Sequence, residues 1–497
     1  MAVESYSVRS KTGSARLLVQ YLWHPTYAPA IQMQKANESI LYPLSPLDHS
    51  GVHQTSITVG YVLKPGPLDI SSLHNAAIRL VKRWRLLAGH LEWQPADSTW
   101  AIHVPLGEIS TSDRDLVKFT TDKLPDVPLN VTLTLSPDSS SACVIPRPAV
   151  KFFRHSSIPY SLSSLAKQRW PILAIHITEL QDCICVGVSV PHGVFDIFGC
   201  GQIIHGLDAE LKGKPWSPPE IPEKNIMKEA LFDLVNTAPE SPESVKTALS
   251  DFQRDMVPTS LGNYVRLGAW TAYELFWQKL ETKAVFIGKR MLDDLVNKVK
   301  AEVRDMGKGW VSTGDVIVAW FIKTAHYGET DRNTVNVHMA FSLRQLLTEC
   351  DSKIENYPHN SQIGCSYPTL SKENIANLSL AELAIISRQS IDSARNVPFT
   401  QSLMRHLDSV GGTLIPERRQ GQDSWIISNQ VIGRVDDIDF GLEMQSVWFW
   451  CLPALPDHTV VVNQFNGGYV LLAGLRQSRW VAIEEEIERI RKEQIVN

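Results

Sequence analysis

The sequence predicts an α/β protein with mixed sheets, two similarly built halves joined by a long crossover. Three observations carry this. An unbroken apolar segment over residues 184–190 passes through Pro191 and His192 into a helix-spaced run of Ile203, Ile204, Leu207 and Leu211. A strand–helix–strand order over residues 56–91 precedes it, and the same alternation restarts after residue 284. Between the halves, over residues 212–260, Pro, Glu and Ser accumulate and the patterning fades.

Size and composition agree. A chain of 497 residues is long for one domain and comfortable for two. With 43% apolar and 20% charged residues it reads as a soluble globular protein. The formal net charge of −5, with acids and bases interspersed, leaves no basic patch for nucleic acid. The longest apolar runs are strand-length and no apolar core follows a positive N-terminal region, so neither a membrane partner nor a secretory signal is expected. The seven cysteines are odd in number and lack a Cys-x-x-Cys pair. They read as thiols in a reducing, cytoplasmic setting and imply no metal site.

In chain order, residues 15–23 suit a strand, and Leu44-Ser-Pro-Leu-Asp48 is turn-like. Residues 56–63 form a strand closed by Lys64-Pro-Gly-Pro67. Asp69 or Ser71 then caps a helix whose core stripe is Leu73, Ala77, Leu80, Val81 and Trp84. Residues 86–91 break that helix and lead into a strand, and residues 136–148 read as a Ser/Pro-rich loop. A strand over 171–178 pairs with the 184–190 segment as a hairpin. In that second strand Ile184, Val186, Val188 and Val190 share one face, while Cys183, Cys185, Gly187 and Ser189 share the other, so both can be buried. Pro191 cannot donate to a ladder and ends the strand. His192 therefore sits at the mouth of the sheet with Asp196 four residues on, a geometry for a general base that also fits a purely structural pair. Gly199 and Gly201 allow close backbone approach at the helix start.

In the second half, residues 284–287 are strand-like, and Leu292, Leu295, Val296, Val299 and Val303 mark an amphipathic helix. Thr313 is read as the cap of the next helix, with Asp315 in its first turn and Val316, Ile317, Trp320 and Phe321 inward. Residues 335–343 and 424–431 are strands, and 378–396 is helical. Residues 460–465 and 469–475 form a hairpin around Asn466-Gly-Gly468. Ile483, Ile487 and Ile490 line one side of the last helix.

Three motifs stand in one order: Leu44-Ser-Pro-Leu-Asp48, His192-Gly-Val-Phe-Asp196 and Asp439-Phe440-Gly441. Together they resemble the BAHD family of CoA-dependent acyltransferases, in particular its fungal, trichothecene acetyltransferase-like branch. Leu87-Ala-Gly89 is similar to the family's Leu-Ala-Gly-Arg segment with His90 in place of Arg, and Ser312-Thr313-Gly-Asp315 is similar to its Ser-Thr-x-Asp helix start.

The resemblance implies two chloramphenicol-acetyltransferase-like lobes, 1–211 and 261–497, joined by the crossover 212–260, with an active-site channel between them. It implies direct transfer of an acyl group, acetyl or short-chain, from acyl-CoA to a small-molecule alcohol, less readily an amine, of specialised metabolism. By the same resemblance no covalent acyl-enzyme and no permanently bound cofactor are expected. The resemblance makes His192 the general base. Asp196 orients its loop through a bidentate ion pair with Arg344, which lies in Phe341-Ser-Leu-Arg344. The family's Thr/Ser-Ser-Trp strand, whose hydroxyl and indole face the intermediate, reads Ser428-Asn429-Gln430 here, so the resemblance makes Ser428 and Asn429 the oxyanion donors. The family Trp is absent there, and Trp425 either takes its place or belongs to the core. Asp48 and Asp439-Phe440-Gly441 are architectural, Ser312 and Thr313 are expected to contact CoA, and a monomer is expected. The chain departs from the family at Ile197, where Gly is usual, and at Leu442-Glu443, where Trp-Gly is usual. Two other readings stand beside this one. A condensation-type enzyme would use a carrier-protein donor, although Pro191 and Ile197 depart from His-His-x-x-x-Asp-Gly. A non-catalytic binding protein could keep the same fold.

Overall fold

The computed structural model describes residues 39–496 except 50–52, 96–98, 108, 110–115, 130–140, 222–224, 237–241, 330–332, 350, 412 and 453–454. The strand expected over 15–23 lies outside the described residues.

Strand β1 (Ser56–Leu63) runs into helix α1 (Ile70–Arg83), capped by Asp69, whose side chain accepts from Ser72 N. Strands β2 (Lys118–Leu124), β3 (Ala142–Pro146), β4 (Ala174–Leu180) and β5 (Ile184–Pro191) follow, then helix α2 (Ile197–Lys212). Helices α3 (Ile226–Asn236), α4 (Glu243–Asp255) and α5 (Leu261–Trp277) come next. The second half holds β6 (Leu280–Ile287), α6 (Lys289–Asp305), α7 (Thr313–Ala325), β7 (Thr334–Ser342) and β8 (Gln362–Ser366). It continues with α8 (Leu380–Ala394), α9 (Val397–Ser409), β9 (Gln422–Asn429) and β10 (Met444–Trp450). Strands β11 (Thr459–Phe465) and β12 (Gly468–Arg476) and helix α10 (Gln477–Val496) close the chain.

Two mixed sheets form the body. One has the order β10–β1–β5–β4–β2, antiparallel except for β4 and β2. Every position of β1 and β5 is buried, as the two faces of the 184–190 segment predict for β5. The other sheet runs β8–β7–β9–β11–β12–β6–β3, with parallel pairs at its centre. The hairpin β11–β12 turns on Asn466 and Gly467, both at positive φ (48° and 75°), the type I′ signature of a two-residue loop.

Three segments differ from expectation. The 136–148 segment contains β3, which pairs with β6 in the second half's sheet, Ala284 opposite Ile145. Strand β10, from the second half, pairs with β1 at the edge of the first sheet. Each sheet thus takes an edge strand from the other half of the chain. The crossover, read as a weakly patterned linker, is helical over much of its length: α3 and α4 bury Met227, Leu231, Leu234, Val245 and Phe252. Their Pro- and Glu-rich surroundings diluted the period. Helix α5 was likewise not anticipated.

Candidate active site

The site begins where β5 stops. Its last bond to β1 is followed by His192 N donating to Thr55 O at 2.7 Å, while Val194 N and Phe195 N both return to Pro191 O at 3.1 Å. This tight turn delivers Asp196 to the start of α2. There it acts as N-cap, its Oδ1 accepting from Phe198 N (3.0 Å) and Gly199 N (3.1 Å). The sequence did not disclose that capping role.

Asp196 and Arg344, the pair the resemblance implies, are brought together and both are buried. The geometry is not the expected fork. A single nitrogen, Arg344 Nη2, spans both carboxylate oxygens, at 2.9 Å to Oδ1 and 2.8 Å to Oδ2. The rest of the guanidinium is engaged elsewhere: Nε donates to Tyr357 O at 2.9 Å and Nη2 also to His359 O at 2.8 Å. Ile197, in place of the family Gly, opens α2 directly and packs against Gly433.

The segment from Tyr357 to Ser361 was missed by sequence reasoning, yet it clasps the whole histidine loop. Asn360 Nδ2 donates to His192 O at 2.7 Å. His359 Nδ1 lies 2.7 Å from Val194 O, Ser361 N donates to Asp196 Oδ2 at 3.4 Å, and a Cβ on Gly199 would meet Pro358 O at 1.9 Å. Asn360 is itself fixed by Asp48, whose Oδ1 accepts from Asn360 N (3.1 Å) and Nδ2 (2.8 Å) while Oδ2 accepts from Ser45 N (2.7 Å) and Oγ (2.8 Å). Burial pushes the Asp48 carboxyl up to about 7 against those donors. Asp48 therefore reaches His192 through Asn360. Tyr-Pro-His-Asn-Ser has no period and reads only as a loop, so no signal in the chain pointed to it.

The imidazole of His192 is half-buried, with Nδ1 enclosed and lacking a well-formed hydrogen bond. Burial lowers its pKa below the usual imidazole value; the backbone at His192 and Phe195 and the Asp196 charge only partly oppose this. A pKa lowered in this way favours the neutral ring near pH 7. A second imidazole, His53, stands 4.4 Å away between ring centroids, its Nδ1 at 2.8 Å from Leu47 O.

The other expected site residues form a second group. Ser428 and Asn429 end β9 opposite Val461 and Val462. Asn429 Nδ2 lies against Gly314, where a Cβ would be 2.9 Å from it, so Asn429 and the Ser312-Thr313 helix start are neighbours. Gly433, a few residues beyond Asn429, packs under Ile197, and a Cβ on Gly201 would meet its carbonyl oxygen at 2.0 Å. Among the described residues no hydrogen bond joins His192 to Ser428 or Asn429. The cap of α7 is Ser312, not Thr313: Ser312 and Asp315 make a reciprocal capping box. Arg388 Nη2 then donates to Asp315 Oδ2 (2.6 Å) and to Ser312 Oγ (3.0 Å). Trp425 belongs to the core, buried against Phe321 with Nε1 donating to His326 Nε2 at 3.1 Å.

Asp439 accepts from Gly441 N at 2.9 Å and pairs with Lys212 Nζ at 3.1 Å, while Phe440 meets Tyr61 edge-on at 5.1 Å. This places the motif at the C-terminal end of α2, about 24 Å along the helix from Asp196. His326, Glu329 and Asp423 bring ligand atoms within 4.8 Å of one another. Lys372 and Arg479 already pair with those carboxylates, so a further cation would meet repulsion.

A family model described as the Transferase family matches residues 152–489, more than half of the chain. The chain belongs to that family. It is an acyltransferase of the BAHD type, as the three motifs indicated. Among its relatives, the acetyltransferase pyiB of Pyricularia grisea is 24% identical over 417 residues, covering 79% of this chain and 77% of that protein. The acetyltransferase BOT5 of Botryotinia fuckeliana is also 24% identical, covering 73% of this chain and 67% of its own. Among solved structures, TRI101 of F. sporotrichioides complexed with coenzyme A and T-2 superposes with a TM-score of 0.64 at 15% identity, over 90% of this acyltransferase and 98% of that chain. Vinorine synthase gives 0.57 at 13% identity, over 93% and 95%. These likenesses establish the two-lobed mixed α/β fold.

Proposed function

We propose that this acyltransferase moves an acetyl or other short acyl group from acyl-CoA to the hydroxyl of a small specialised metabolite, with His192 as general base. The observation that carries the reading is an imidazole held neutral by burial while its backbone is clamped by Thr55, Asn360 and the Asp196–Arg344 pair. Nε2 takes the proton of the acceptor hydroxyl as its oxygen attacks the thioester carbonyl carbon. The tetrahedral intermediate then expels CoA thiolate, which receives the same proton back from the imidazolium. Ser428, whose hydroxyl has no partner among the described residues, and Asn429 are the proposed oxyanion donors. Contact with CoA falls to Thr313 rather than Ser312, because the Ser312 hydroxyl is taken up by Asp315 and Arg388. The coenzyme A and T-2 held by TRI101 support a CoA donor and a small-molecule acceptor, and the names of the fungal acetyltransferases support acetyl as the group moved.

Thermal unfolding with acetyl-CoA, longer acyl-CoAs and free CoA tests this without knowledge of the acceptor. A ligand present at about a hundred times its Kd stabilises the folded state by about 2.7 kcal/mol, so a productive donor raises the midpoint. No shift with any CoA species would sink the proposal and favour a carrier-protein donor.

A further inference from the structure

Helix α5 (Leu261–Trp277) is built inside out. Its buried residues are polar, Thr271 and Glu274. Its exposed residues are apolar: Leu261 is 83% exposed, Val265 63%, Tyr273 41%, Phe276 53% and Trp277 72%. At 100° per residue, Leu261, Val265, Ala269, Tyr273 and Phe276 fall within an arc of about 120°, and Trp277 adjoins it. Scattered exposed hydrophobic residues are ordinary on a soluble protein; a continuous arc along a whole helix is not. The aromatic rings gather at the C-terminal end, with Trp270 5.7 Å from Tyr273, Tyr273 6.2 Å from Trp277 and Phe276 6.2 Å from Trp277. The helix has no exposed acid. Its one basic residue, Arg266, lies beside the arc and pairs with buried Glu417 at 2.9 Å, while exposed Lys279 follows its end.

Two physical arguments choose the occupant. The arc is about 25 Å long and 10 Å wide, so a second copy seated on it would bury far less than the roughly 800 Å² per partner that a stable dimer takes. A lipid surface demands no shape complementarity. It favours aromatic rings at headgroup level beside cationic side chains, the composition found here. We infer that α5 lies in the interface of a lipid bilayer, apolar arc inward, and holds the protein reversibly on a membrane surface. The expectation of no membrane partner rested on the lack of a spanning run, which an interfacial helix does not need. This inference is independent of the acyl-transfer reading.

The test is sedimentation of the full chain with vesicles of phosphatidylcholine containing a quarter phosphatidylserine, alongside tryptophan emission. Wild type should pellet with the vesicles and its emission should shift to the blue. The double variant Val265→Glu/Phe276→Glu changes only exposed positions, so it should keep its unfolding midpoint and lose vesicle partitioning by roughly tenfold or more. Wild type left in the supernatant, or a folded double variant that pellets equally well, would overturn the inference. So would light scattering that shows a wild-type dimer split by the same variant, which would give the face to a second copy.

Discussion

Two buried carboxylate–guanidinium pairs stand at helix starts in this acyltransferase, and they are closely alike. Asp196 caps α2 and pairs with Arg344; Asp315 completes the capping box of α7 and pairs with Arg388. In both, one carboxylate satisfies backbone donors of the first turn as well as an arginine from a distant element. They differ in what else is attached. Asp196 lies four residues from a half-buried imidazole, and Arg344 also grips the carbonyls of the segment that holds His192. Besides Arg388, the hydrogen-bond partners of the Asp315 carboxylate among the described residues are Ser312 and Ser387. The contrast separates architecture from chemistry: an Asp–Arg pair at a helix start is a way to anchor a chain turn, and it becomes part of an active site when the turn carries a base.

The largest effect should come from removing the base. His192→Ala should lower kcat/KM by about 10²–10⁴ with an unfolding midpoint close to wild type, because the ring is half-buried and, among the described residues, no side chain is hydrogen-bonded to it. Retained turnover would end the general-base assignment.

The next test breaks each pair from one side. Arg344→Ala and Arg388→Ala each leave an uncompensated buried carboxylate, so both should lose about 3–5 kcal/mol in denaturant unfolding. Assayed where both remain folded, only Arg344→Ala should also lose kcat/KM, since it alone frees the histidine loop. Equal losses of activity would erase the distinction drawn here.

A smaller, graded effect is expected with pH. Burial depresses the His192 pKa, so the base stays neutral to a lower pH than a free imidazole would. The acid limb of kcat/KM should fall tenfold per pH unit below an apparent pKa under the usual value of about 6.5. The linkage has the matching sign. The unfolded ring protonates first as pH drops, so the stability that His192 contributes is present above about 6.5 and is lost as pH falls toward the depressed folded-state value. Arg388→Ala, which leaves His192 untouched, should keep the same acid limb.

How far the sequence disclosed this arrangement depended on the range of the signal. The buried strand β5, the turn at His192 and helix α2 were legible because each is written in local periodicity and in glycines that permit close backbone approach. Arg344 was reached only through the motif resemblance, since nothing local in Phe341-Ser-Leu-Arg344 says what it pairs with. Asn360 and His359 escaped because they act from a loop whose partners, Asp48, His192 and Val194, are far away in sequence. The exchanged edge strands β3 and β10 escaped for the same reason: their pairing is non-local, and a Ser/Pro-rich context hid the first of them.

The smallest expected effect sharpens the comparison from the other side. In Ser312→Ala the hydroxyl lost is the one that accepts from Asp315 N and Arg388 Nη2 and donates to Asp315 Oδ2. Loss of an N-cap hydroxyl should cost about 1 kcal/mol of stability. If that hydroxyl is wholly engaged in holding α7, the affinity for acyl-CoA, read from the midpoint shift against ligand concentration, should be unchanged. Thr313→Ala should do the reverse, with little loss of stability and weaker acyl-CoA binding, because Thr313 adjoins Gly314, against which Asn429 Nδ2 lies, and its hydroxyl is not committed to the cap. A Ser312→Ala variant that loses acyl-CoA affinity would mean that the second helix start, too, carries part of the site, and the contrast with Asp196 would narrow to the imidazole alone.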